Sequence, residues 1–89
     1  MSDARTVKIV NAEGLHARPC HAIVSLALEY DCVLEVRCGE SVADGRSILS
    51  LMTLQAAHGS ELCFVASGSC AEELLERVEQ LVSEGFQPG

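Results

Sequence analysis

Gly14-Leu15-His16-Ala17-Arg18-Pro19-Cys20 is the stretch on which the reading of this chain turns. Ahead of it, Thr6-Val7-Lys8-Ile9-Val10 predicts a first strand with Val7 and Ile9 on one face. Behind it, Cys20, Ile23, Val24, Ala27 and Leu28 recur at helical spacing. They predict a helix that starts at Ala17, stops near Tyr30-Asp31 and buries one stripe. The stretch therefore lies at a strand-to-helix junction, entered through the loop Asn11-Ala12-Glu13-Gly14. A helix N-terminus carries unpartnered N–H groups and partial positive charge, and both suit an anion. His16 sets a nucleophilic nitrogen there, and Arg18 adds a planar cation matched to phosphate oxygens. Pro19 is tolerated because its missing N–H falls in the first turn. Together these residues suit the carriage of a phosphoryl group.

Further along, Cys32, Leu34, Val36 and Cys38 share one side of a second strand. Gly39-Glu40 predicts a tight turn into a short return strand, Ser41-Val42-Ala43. After the loop Asp44-Gly45-Arg46, Ser47 is placed to N-cap a short helix from Ile48 to Gln55. Gly59 falls near that helix's C-cap, with His58 beside it complementing the dipole. Leu62, Phe64 and Ala66 alternate along a strand from Glu61 to Ser67. Ser69-Cys70-Ala71-Glu72 reads as a capping box for a last helix that buries Leu74, Leu75, Val78, Leu81 and Val82. Gly85, Pro88 and Gly89 end the chain in a short tail. The order is βαββαβα, and no strand is the continuous apolar run of a buried parallel sheet. The expected fold is an α+β open-faced sandwich, a four-stranded antiparallel sheet with three helices on one face.

Eighty-nine residues suit a single domain spanning 1–89. Tyr30, Phe64 and Phe86 are the whole aromatic complement, so the core is expected to be aliphatic. A net charge of −7 argues against nucleic acid as a partner. The five Glu and one Arg after Ser69 place much of that acidity on the solvated face of the last helix. No apolar run approaches a membrane span and Met1 to Arg5 is polar, so a cytoplasmic protein without membrane insertion is expected. Five cysteines, at 20, 32, 38, 63 and 70, form no C-x-x-C pair. They read as reduced thiols, most of them packed in the core. His16, Cys20 and His21 cluster, but no second pair of ligands stands at metal spacing. No metal or other cofactor is expected, with Cys20 on the apolar stripe and His21 at its polar edge.

The middle helix carries its own signal. In Ile48-Leu49-Ser50-Leu51-Met52-Thr53-Leu54 the apolar residues go nearly all the way round. Leu51 and Leu54 can face the core, which leaves Ile48, Leu49 and Met52 as an exposed patch suited to docking.

Gly14-Leu15-His16-Ala17-Arg18-Pro19 resembles the active-site signature of the HPr (histidine-containing phosphocarrier) proteins of the bacterial phosphotransferase system. Gly45 to Leu54, followed by Gly59-Ser60-Glu61-Leu62, is similar to that family's second signature, which holds a regulatory serine. The likeness runs from Val7 to about Val82. It implies that His16 accepts a phosphoryl group on Nδ1 from enzyme I and passes it to IIA domains for sugar transport. Arg18 would stabilise that group, and Gly14, Leu15, Ala17 and Pro19 would shape the loop around it. It further implies that an HPr kinase/phosphorylase acts on Ser47, and that Ile48, Leu49 and Met52 meet partners. Such a protein is a carrier with no turnover of its own, and a monomer is expected. Cys20 and His21 stand where the family usually has small residues. The tail after Val82 is longer than the family's, so no contact of its carboxylate with the site is expected. A nitrogen-type or purely regulatory paralogue fits the same residues. The intact His16–Arg18 pair argues against a module that never carries phosphate, and the lack of C-x-x-C argues against a thiol-redox module.

Overall fold

Phe64, fully buried, sits on the strand that both halves of the sheet share. The computed structural model describes residues 2–86. In chain order these form β1 (Ser2–Lys8), α1 (Ala17–Ala27), β2 (Val33–Cys38), β3 (Ser41–Asp44), α2 (Ile48–Met52), β4 (Glu61–Ser67) and α3 (Ala71–Ser83). The strands lie in the order β1-β4-β2-β3, and all three pairings are antiparallel. This is the open sheet with three helices that the βαββαβα order predicts. Phe64 stands opposite Arg5 on one side and Val36 on the other. Alternation along β4 turns Leu62, Phe64 and Ala66 toward the helices, and none of the three keeps any exposed surface.

The helices close over that face. Cys20, Ile23, Val24, Leu26 and Ala27 of α1 share one core with Leu51 of α2 and with Leu74, Leu75, Val78 and Val82 of α3. The stripes of α1 and α3 repeat at three- and four-residue spacing, so each of those helices buries one side. Glu72 and Glu73 in the first turn of α3 complement its dipole. Burial also pushes the Cys20 thiol up, which keeps it protonated and unreactive.

Several boundaries depart from the sequence reading, each for a local reason. β1 runs from Ser2 to Lys8 and not from Thr6 to Val10, because its whole length pairs with β4, from Ser2–Ser67 to Lys8–Glu61. α1 ends at Ala27, and the Glu29 and Tyr30 amides tighten onto the Leu26 and Ala27 carbonyls. Leu28, past the end, is exposed and not buried. β2 starts at Val33, and β3 reaches Asp44 through its pairing with Glu35. α2 stops at Met52, capped by Thr53, and Gln55 adopts a left-handed φ of 50°. Gly59 and His58 therefore lie in the following loop and cap nothing. Leu81 is partly buried against the core.

The capping box does not form. Gly68, at φ +132°, turns the chain so that its carbonyl takes the Ala71 amide at 3.3 Å. That places Cys70 at the N-cap and Ser69 outside the helix. Nor are all the cysteines reduced, since Cys32 and Cys70 form a disulfide while Cys20, Cys38 and Cys63 are free. The pairing joins positions 38 residues apart, a contact that sequence spacing does not announce. Pro88 and Gly89 of the predicted tail lie outside the described residues.

The entry to α1 is held by backbone. The Leu15 amide donates to the Ala56 carbonyl at 2.8 Å, and Asn11 Nδ2 donates to the Gly14 carbonyl at 2.7 Å. Gly14 itself has φ +72°, and a Cβ there would stand 2.6 Å from the Ala56 oxygen and 2.9 Å from the Ala57 Cα. Both the conformation and the close approach require glycine. A left-handed non-glycine residue costs about 1–2 kcal/mol before any displacement of backbone. Gly14→Ala is expected to lower Tm by on the order of 10 °C, at roughly 4–8 °C per kcal/mol for a domain of this size. Gly39→Ala is the control, since Gly39 is also left-handed, at φ +61°, with open space around it. Equal losses in the two variants, read by thermal melts, would show that the close approach at Gly14 carries no weight.

Candidate functional site

His16 is the N-cap of α1, with extended backbone at φ −110° and ψ −168°. Its carbonyl accepts the first helical hydrogen bond, from the Cys20 amide at 3.0 Å. Its side chain makes no cap bond and is 40% exposed. Among the described residues the amides of Ala17 and Arg18 have no backbone partners at the helix end, and Pro19 has no N–H to satisfy. Pro19 and Cys20 turn into the core, so the exposed side of this helix start is left to His16, Ala17 and Arg18.

The arginines of the chain are unevenly engaged. Arg5, Arg37 and Arg77 pair with Glu79, Glu35 and Glu29. Arg46 donates to the Cys32 carbonyl at 3.4 Å. Arg18 is exposed and, among the described residues, makes neither an ion pair nor a hydrogen bond. Its guanidinium is thus available to an incoming anion. Glu13, strongly exposed, brings Oε2 to 4.0 Å from His16 Nε2, so one edge of the imidazole faces a carboxylate.

A cavity of about 380 Å³ opens here, lined by Asn11, Glu13, His16, Arg18, His21 and Phe86 among others. His16, Arg18 and Pro19 of the predicted stretch all reach it, and exposed His21 lines it while Cys20 is buried beneath. Asn11, Glu13, Gly85 and Phe86 are lining residues that the sequence reading did not assign. Asn11 and Glu13 stand within five residues of His16, a signal that could have found them. Gly85 and Phe86 arrive from the end of α3, where Phe86 has φ 63° and its amide returns to the Leu81 carbonyl at 2.9 Å. No local pattern links them to His16. Among the described residues, no three His, Cys, Asp or Glu side chains gather as a metal site, and no helix is long and apolar enough to cross a membrane.

The second predicted site is built on α2. Ser47 is its N-cap, and Oγ accepts the Ser50 amide at 3.2 Å. The turn before it is braced by Asp44, which takes the Arg46 amide on Oδ1 at 2.9 Å and the Ser47 amide on its carbonyl at 3.1 Å. Leu49 is 79% exposed and Met52 41%. Ile48 departs from the expected patch, being partly buried against the core. Leu51 and Leu54 are buried as their spacing predicts.

A family model described as the PTS HPr component phosphorylation site matches residues 4–84. The phosphocarrier protein HPr of Pseudomonas aeruginosa is 36% identical over 87 residues, covering 97% of each chain. The phosphocarrier protein NPr of Escherichia coli K12 is 33% identical over the same length, also at 97% of each chain. A crystal structure of HPr from Thermoanaerobacter tengcongensis superimposes with a TM-score of 0.91 at 26% identity, covering 98% of both chains. The likeness therefore extends through sequence and fold together, almost from one end of the chain to the other, and this chain belongs to the HPr family of phosphocarrier proteins.

Proposed function

We propose that the chain carries a phosphoryl group on His16, taken from enzyme I and passed to a IIA domain. The observation that carries this reading is the Arg18 guanidinium, without a partner among the described residues, lining one cavity with a half-exposed N-cap histidine. The resemblance to the family implies Nδ1 as the acceptor, and Nε2, on the other edge of the ring, lies 4.0 Å from Glu13 Oε2. The neutral imidazole attacks through Nδ1. A nitrogen–phosphorus bond forms as the donor's bond to phosphorus breaks, and the transfer runs the same way from His16 onto the next protein. Arg18 and the amides of Ala17 and Arg18 then hold the phosphoryl oxygens, each charge-assisted hydrogen bond contributing about 1.5–3 kcal/mol. Glu13 and the C-terminal end of α3, with its negative dipole end, oppose that attraction. Together with solvent exposure they keep the group lightly held, as a carrier requires. The reading places the protein in the cytoplasm as a monomer.

Ser47 is the regulatory position in the same reading, phosphorylated by an HPr kinase/phosphorylase. Leu49 and Met52, with the partly buried Ile48 beside them, form the surface that partners cover. A phosphate on Ser47 adds about −1.5 to −2 charge next to that surface and repels an acidic partner. The nitrogen-type circuit is the second reading, supported by the similar identity of the chain to an HPr and to an NPr. Transfer assayed side by side to a sugar-type and a nitrogen-type IIA domain separates the two.

Incubation with phosphoenolpyruvate, magnesium and enzyme I is expected to add one acid-labile phosphoryl group by intact mass, and none in His16→Ala. Arg18→Ala is expected to slow acceptance by about 10- to 100-fold, the loss of one charge-assisted hydrogen bond. No mass gain in the wild type, or equal gain in His16→Ala, refutes the assignment. Ser47→Asp is expected to accept more slowly than the wild type, and equal rates would remove Ser47 from the regulation of this step.

A further inference from the structure

We propose that Cys32 and Cys70 are a reversible oxidative modification site, closed as a disulfide and opened to two thiols without loss of the fold. The pair is bonded across 38 residues with its Cα atoms 6.5 Å apart, within the range that a disulfide spans. Cys32, only 3% exposed, ends the connection from α1 to β2, and Cys70 is the N-cap of α3. Contacts that do not involve sulfur hold both ends in place. Tyr30 donates its hydroxyl proton to Glu73 at 2.6 Å. Arg77 donates to Glu29 and to the Tyr30 hydroxyl, each at 3.0 Å, which ties the exit of α1 to α3. Arg46 holds the Cys32 carbonyl. Gly68 leaves the space that Cys32 needs, because a Cβ there would stand 3.0 Å from its Sγ. The two sulfurs therefore face each other whether or not the bond is made.

No other cysteine can take the place of either. Cys20 is fully buried in α1. Cys38 follows Leu34 and Val36 on the helix side of β2, whereas Cys63 stands on the opposite side of β4 from Leu62 and Phe64. A small disulfide such as oxidised glutathione is the oxidant. The thiolate of Cys70, the more exposed of the pair, attacks one of its sulfurs and releases one glutathione thiolate. The Cys32 thiolate then attacks Cys70 Sγ in that mixed disulfide and releases the second. Two protein thiols lose two protons and two electrons, and one oxidised glutathione becomes two reduced molecules. The site lies beyond the far end of α1 from His16, a helix of 11 residues and so about 16 Å long. Oxidation thus acts on the durability of the fold, away from the phosphoryl site.

The full chain is equilibrated with oxidised or with reduced glutathione, unfolded, alkylated with iodoacetamide and weighed. After oxidation Cys20, Cys38 and Cys63 are expected to carry an alkyl or a glutathione adduct each and Cys32 and Cys70 neither, and after reduction all five are alkylated. Thermal melts are expected to show Tm higher in the oxidised form by roughly 15–30 °C, the effect of closing a loop of this length. Cys32→Ser and Cys70→Ser are each expected to lose that oxidised-minus-reduced difference, whereas Cys63→Ser keeps it. The comparison is made within each variant, so any destabilisation by the substitution itself cancels. Five alkylations after oxidation, or a difference that survives in Cys32→Ser or Cys70→Ser, overturns the proposal.

Discussion

The approach of Gly14 to the backbone of Ala56 and Ala57 is the contact on which the site depends. Two segments that carry no regular structure meet there, the loop entering α1 and the chain leaving α2. They meet closely enough that one Leu15 amide closes the junction on the Ala56 carbonyl. No side chain fits between them, so the direction in which α1 starts is set by backbone against backbone, which is stiffer than any rotamer choice. With the start held, Pro19 and Cys20 can only enter the core, and His16 is left at the helix end with its ring half exposed. The helix that bears Ser47 and the helix that bears His16 are thereby registered to one another through a short, rigid path.

Charge distribution matters here through what stays unpaired. The ion pairs of Arg5, Arg37 and Arg77 are surface pairs, and such pairs contribute about 0–1 kcal/mol each. Their effect on stability is small, but they occupy cations that would otherwise compete for an anion. Arg18 stands apart from every carboxylate of the acidic α3 in hydrogen-bond terms, although the end of that helix helps line the same cavity. In the proposed carrier, one guanidinium and two amides would attract the phosphoryl group, and Glu13 and a helix C-terminus would temper that attraction.

Local patterns made much of this legible. Alternation at Leu62, Phe64 and Ala66, and the stripes Ile23-Val24-Ala27 and Leu74-Leu75-Val78, report burial directly because each depends only on the period of one element. Ser47 at the N-cap followed from the same local chemistry, and its bond to the Ser50 amide is present. Where the surrounding chain overrides a local signal, the signal misleads. Ser69-Cys70-Ala71-Glu72 predicts Ser69 as the N-cap of α3, and the turn at Gly68 gives that place to Cys70. The apolar residues after Ile48 continue past Met52 and predict a longer helix, but α2 ends at Met52 and the backbone turns left-handed at Gln55.

By itself the sequence determined the element order, the buried faces and the strand-to-helix junction at His16, because each arises from neighbours within a few residues. Tertiary structure alone decided the strand order β1-β4-β2-β3, the union of Cys32 with Cys70, and the meeting of Glu13, His16 and Arg18 with Phe86 from the far end of the chain. These are contacts between segments whose separation along the chain says nothing of their separation in space. Only the packing of the finished core, with α1 and α3 laid on one sheet, brings them together.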